Sequence, residues 1–144
     1  MRENPALLVG IDTEADDQWS LDGRRRLSVS NAGRLPELQA LFEEFAVRPT
    51  YLVTHEMATE KESASILRDL GRSGLCEIGT HLHPWSSPPF RAEDLAGHTY
   101  PNRLPRELLD RQITELTSVI EHNLGVRPTT YRAGRNGFDG RTLP

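Results

Sequence analysis

The chain has 144 residues, 17 of them basic and 21 acidic, for a formal net charge of −4. That length is enough for one domain with a real core, and the acidic balance excludes nucleic acid as the main partner. The single cysteine, Cys76, excludes an internal disulfide framework.

The N-terminus, Met1 to Pro5, is polar and precedes only a short apolar run. It reads as neither a signal peptide nor a membrane span, so a cytoplasmic protein is expected. Ala6 to Ile11 is a continuous apolar stretch and reads as a strand buried on both faces. Residues 15 to 33 are polar and read as a loop, with Arg24-Arg25-Arg26 a solvated basic run. Leu35, Leu38, Leu41, Phe42 and Phe45 recur at helical spacing, with Pro36 in the first turn. Pro49 to Val53 is a second strand. Thr59 to Glu62 reads as a capping box opening a helix with Ile66, Leu67 and Leu70 on its apolar face, closing at Gly71 or Gly74. Leu75 to Gly79 is a third strand, and Cys76 within it is expected to be a buried, inert thiol. Residues 84 to 103 carry four prolines and read as a long ordered loop. Leu104, Leu108, Leu109, Ile113, Leu116 and Ile120 mark the longest helix, stopped by Gly125. Pro128 to Arg132 is a fourth strand. The order βαβαβ-loop-αβ implies an α/β fold with parallel strands and right-handed crossovers.

In such folds ligands bind at the C-terminal ends of the strands. Each expected strand runs into chemically capable residues there: Asp12 and Glu14, His55 and Glu56, His81 and His83, Arg132 and Arg135. Residues two apart in extended chain share a side. His81 and His83 can therefore reach one metal ion, and Asp12 and Glu14 can face the same cavity. Two imidazoles and one carboxylate form a three-ligand set with open positions, the usual form of a catalytic metal site. The remaining carboxylate is then free to act as general base. Arg132 can hold that base by a bidentate pair and keep it ionised, with Gly134 permitting a tight turn beside it. His55 can line the cleft, whereas His98 and His122 read as structural or solvated. Trp85 and the segment around Pro88-Pro89-Phe90 fit either an apolar cleft wall or core packing.

Val9 to Glu14, Glu77 to Trp85 and Tyr131 to Arg135 stand in the order of three motifs of one family. On these the chain resembles the N-terminal part of a polysaccharide deacetylase, the NodB-homology domain of carbohydrate esterase family 4. The resemblance implies that Asp12 is the base, that Glu14, His81 and His83 hold the metal, and that Arg132 orients Asp12. It departs from the family in two places. An Asp-x-Glu replaces two adjacent Asp residues, which leaves Asp16 and Asp17 as alternatives to Glu14, and the histidines are two apart rather than four.

The fold implied is a partial, distorted (β/α) barrel of the polysaccharide-deacetylase type, with residues 1–144 forming a single domain. Complete barrels need roughly 200 residues or more. The family's last two motifs, including its general-acid histidine, are not found, so the chain reads as the first part of such a domain. The expected activity is metal-dependent removal of N-acetyl, or less readily O-acetyl, groups from a carbohydrate. The ion is expected to be Zn²⁺, with Co²⁺ or another divalent metal as alternatives. A hydrolase of small non-sugar amides and a non-catalytic sugar-binding fragment are the competing readings. Open strand edges and inner faces predict self-association.

Overall fold

The computed structural model describes residues 6–89, 99–140 and 142. Four strands, β1 (Gly10–Thr13), β2 (Thr50–Val53), β3 (Glu77–Leu82) and β4 (Tyr131–Ala133), form one parallel sheet in the order β1-β2-β3-β4. Sequential order with parallel pairing means that every connection steps the same way, as in a (β/α) barrel. Between the strands lie α1 (Leu21–Arg26), α2 (Leu35–Glu44), α3 (His55–Thr59), α4 (Lys61–Ser73) and α5 (Arg106–Leu124). Short 3₁₀ turns occupy Ser30–Arg34, Pro101–Arg103 and Gly134–Asn136. The architecture is a curled partial (β/α) barrel, as expected. His98 and Phe90 lie outside the described residues. No helix among the described residues is long and apolar enough to cross a membrane.

The register divides the sheet into two unlike faces. Ile11, Tyr51 and Ile78 stand in one row, and they join Val53, Leu82, Met57, Leu67, Leu116, Ile120 and Leu124 in the core against the helices. The next row, Asp12, Leu52 and Gly79, points the other way, as do Gly10, Thr50, Glu77, His81 and Arg132. This second face is small and polar. Part of it lines an open cavity of about 370 Å³ that includes Gly10, Thr50, Leu52, Glu77 and Arg132.

Several local expectations change. β1 begins at Gly10 rather than Ala6, because β2 offers pairing partners only from Thr50 onward. Leu7 and Leu8, read as strand core, are exposed. Residues 15–33 are not a plain loop: Ser20 caps α1 by accepting from the Gly23 N–H at 2.9 Å. α2 turns Leu35 and Gln39 inward and leaves Leu41 and Phe45 exposed. The buried Gln39 accepts a hydrogen bond from the Tyr51 hydroxyl at 3.0 Å, so the inward position is filled by a polar partner. The cap of α4 is Glu60, not Thr59. Its carboxylate accepts from the Glu62 and Ser63 N–H groups, both at 2.9 Å, while the Thr59 hydroxyl donates back to the His55 carbonyl. Gly74 and Gly125 end α4 and α5 in the left-handed region, as their sequence positions suggest. Cys76 is buried and free, and burial pushes its thiol pKa up.

Candidate metal centre

Glu14 and His83 each follow the last residue of a strand, and His81 is the penultimate residue of β3. Strand alternation aims all three away from the helices, and they meet beyond the C-terminal edge. Glu14 Oε2 lies 2.9 Å from His83 Nε2 and 3.2 Å from His81 Nε2. Both imidazoles are buried, His81 at 2% and His83 at 0% exposure. One donor atom from each residue falls within 4.8 Å of the other two.

The protonation chemistry of this cluster is informative. His81 Nδ1 lies 3.0 Å from the Arg132 carbonyl oxygen. A carbonyl only accepts, so Nδ1 carries the hydrogen and the Nε2 of a neutral His81 presents a bare lone pair. That lone pair faces a carboxylate oxygen, an arrangement that needs a proton or a cation between them. Burial is the largest influence on Glu14 and opposes ionisation, yet hydrogen bonds and charge interactions with His81 and His83 hold its pKa at about 2. For His83 burial dominates and lowers the pKa, favouring the neutral, ligating imidazole.

The donor set fits a divalent ion. Ligands at about 2.0–2.2 Å from a tetrahedral zinc stand roughly 3.3–3.6 Å from one another, so the 3.2 and 2.9 Å separations around Glu14 need only widen by a few tenths of an ångström. Two imidazoles and one carboxylate suit zinc or cobalt, and a three-residue set leaves positions open for water and substrate.

Asp12 and Arg132 lie beside this cluster. Arg132 Nη1 donates to Asp12 Oδ1 at 2.8 Å, while Asp12 Oδ2 sits 4.0 Å from His81 Nε2. The contact is a single hydrogen bond rather than the expected bidentate pair. Gly10 makes room for it: a Cβ there would stand 2.9 Å from Arg132 Nη2.

Asp16 and Asp17, the alternatives to Glu14, are engaged elsewhere. Asp16 accepts from the Ser28 and Ser30 hydroxyls, both at 2.7 Å, and from the Ser30 and Asn31 N–H groups. Asp17 accepts from the Ser20 hydroxyl at 2.6 Å. His55 is half-buried, with its pKa lowered by burial, and is not part of the donor cluster; His122 is exposed on α5.

Of three further neighbours, Arg24 departs from its sequence reading, Trp19 was not singled out by it, and Trp85 was expected at a cleft wall or in the core. Arg24 is no solvated charge, because its guanidinium lies 4.4 Å over the Trp85 ring and its Nε donates to the Gln18 carbonyl at 2.8 Å. Trp85 itself is buried, with its ring 4.3 Å from that of His83. Trp19 stands edge-on to His83 at 6.3 Å. The contacts of Arg24 and Trp19 depend on how the β1–α1 loop folds back, which no spacing rule predicts.

No protein-family model and no curated protein matches the chain. Solved structures do match in fold. The Xyl-CE4 domain of a multidomain xylanase from the hindgut metagenome of Trinervitermes trinervoides superposes with a TM-score of 0.55 at 16% identity, over 78% of this chain and 46% of that one. The chain has the fold of carbohydrate esterase family 4. A family 4 acetyl xylan esterase from Clostridium thermocellum, solved in complex with a cobalt ion, superposes with a TM-score of 0.52 at 19% identity, over 74% and 45%. The chain thus spans under half the length of either family 4 structure.

Proposed function

We propose that this chain carries the metal-binding part of a hydrolase that removes acetyl groups, N-linked or O-linked, from a carbohydrate. The observation that carries the reading is the convergence of Glu14, His81 and His83 on one point beside the Asp12–Arg132 pair. The family 4 fold supports it, since both solved neighbours are described as xylan-directed proteins or domains and one holds cobalt.

In this reading Glu14, His81 and His83 hold a divalent ion, zinc or cobalt by donor chemistry. Such an ion supplies Lewis acidity, polarising an acyl carbonyl and acidifying water. Asp12 takes the proton from the attacking water at Oδ2, the oxygen that Arg132 leaves uncovered. Arg132 fixes the rotamer of Asp12, and its own backbone carbonyl sets the tautomer of His81, so one residue organises both the base and a ligand. Burial of both imidazoles excludes water from all but the open side of the cluster.

The test is metal content together with acetate release. Wild-type protein should carry about one zinc or cobalt per chain, and the His81→Ala/His83→Ala variant should carry none. Equal metal in both removes the site. Acetate release from acetylated xylo- and chito-oligosaccharides, against none from small linear or cyclic amides, separates the carbohydrate reading from the amide one.

A further inference from the structure

Trp19 is 61% exposed. Single exposed apolar residues are ordinary on protein surfaces, so exposure alone carries nothing. What distinguishes Trp19 is that it is held in place at the rim of the donor cluster. Gln18 before it is wholly buried, and the Gln18 carbonyl accepts from Arg24 Nε at 2.8 Å. Ser20 after it is fastened by the Asp17 carboxylate through both its N–H, at 3.3 Å, and its hydroxyl, at 2.6 Å. The loop is packed so tightly that a Cβ on Gly23 would fall 1.3 Å from the Asp17 carbonyl oxygen. The backbone that carries the indole is therefore fastened on both sides of Trp19. Its ring plane stands perpendicular to that of His83, at 89° with centroids 6.3 Å apart, so the two rings are not stacked face to face, and most of the indole surface stays open to solvent.

A pyranose ring presents an apolar C–H face and a rim of hydroxyls. An indole face offers a rigid apolar platform at low conformational cost. We propose that Trp19 is the platform on which a sugar ring of the substrate rests, and that it thereby sets the distance between the acetylated carbon and the donor cluster. The inference rests on the carbohydrate reading above and adds a residue that discriminates sugar esters from other esters.

The experiment uses the full chain loaded with zinc and compares acetylated xylotetraose and chitotetraose with 4-nitrophenyl acetate, which has no sugar. For Trp19→Ala the ratio of kcat/KM for the sugar over that for the aryl ester should fall roughly tenfold, mostly through KM. Trp19→Phe, which keeps a smaller ring, should fall between. Metal-free wild type should also show a sugar-dependent change in tryptophan fluorescence that Trp19→Phe loses, a readout independent of turnover. The side chain is mostly in water, so the thermal midpoint of Trp19→Ala should stay within ~2 °C of wild type. If the alanine variant does not fold, the phenylalanine variant decides by the same ratio. An unchanged ratio in an active enzyme overturns the platform alone. An equal loss on both esters overturns it in favour of a contact with the acyl or aryl group. A wild type that is folded and metal-loaded yet neither binds nor cleaves either sugar overturns the carbohydrate reading, and the platform with it.

Discussion

Gly134 sits so close to His83 that a Cβ at residue 134 would stand 2.5 Å from the imidazole Nδ1 and 2.5 Å from the Leu82 carbonyl oxygen. One of those neighbours is backbone and cannot swing aside. The chain after β4 therefore works as a wall that presses the His83 ring toward Glu14. Gly134→Ala should destabilise the fold by about 1–3 kcal/mol through overpacking, and it should weaken metal binding beyond what the lost stability explains. Urea unfolding and a zinc titration on the same preparation check this. Wild-type zinc affinity in a destabilised Gly134→Ala would show that His83 is not placed by this contact.

Metal itself should stabilise the fold. Glu14 Oε2 lies 2.9 Å from His83 Nε2 and 3.2 Å from His81 Nε2, so an ion that replaces the proton between these groups gains three ligands at once. Binding to the native state alone contributes about 2.7 kcal/mol when free metal stands at ~100 times Kd. For a domain of this size that corresponds to a rise of about 5–10 °C in the thermal midpoint. Zinc or cobalt should produce the rise in wild type, a chelator should reverse it, and the His81→Ala/His83→Ala variant should show none. An equal rise in both proteins would place the bound metal elsewhere.

How much of this was legible in the sequence follows from which interactions are local. His81 and His83 share a side because extended chain alternates, and Asp12 and Glu14 do so for the same reason; both pairs were readable from spacing alone. Spacing also favoured Glu14 over Asp16 and Asp17, but it left those two open, because their engagement elsewhere depends on Ser28, Ser30 and Asn31 folding back onto Asp16 and on Ser20 engaging Asp17. The apolar run at Ala6 suggested an early strand, but pairing is decided by the partner, and β2 starts only at Thr50. Periodicity placed α2 correctly and put Leu35 and Leu38 toward the core, but Leu41 and Phe45 are exposed, and the polar Gln39 takes an inward position where the Tyr51 hydroxyl donates to it. Arg24 looked like a solvated charge since only the folded loop brings it over Trp85.

The Asp12–Arg132 pair should matter for chemistry far more than for stability. Both side chains are 41% exposed, and ion pairs of that kind contribute about 0–1 kcal/mol. Arg132→Ala should therefore unfold at nearly the wild-type temperature while kcat for acetate release falls about 100-fold, the order expected when a base loses its orientation. Gly10→Ala should reproduce part of the loss, since its Cβ would displace the guanidinium. Wild-type kcat in a folded Arg132→Ala would remove Arg132 from any positioning role.

Glu60 gives the fold an acid-sensitive element at the start of α4. Backbone N–H groups of Ser63 and then Glu62 bind its carboxylate and lower its pKa below the ordinary 4.5. A folded-state pKa below the unfolded value means that the folded chain prefers the ionised form. The contribution is therefore fully present above pH 4.5 and is lost as the pH falls through the lowered folded value. Glu60→Gln keeps the shape of the side chain and removes the charge. It should be less stable than wild type at neutral pH, and the gap should close as the solution is acidified below that point. Urea unfolding of both proteins across the acid range measures the gap. A difference that stays constant with pH would assign the cap's contribution to shape and neutral hydrogen bonding, not to the carboxylate charge at the start of α4.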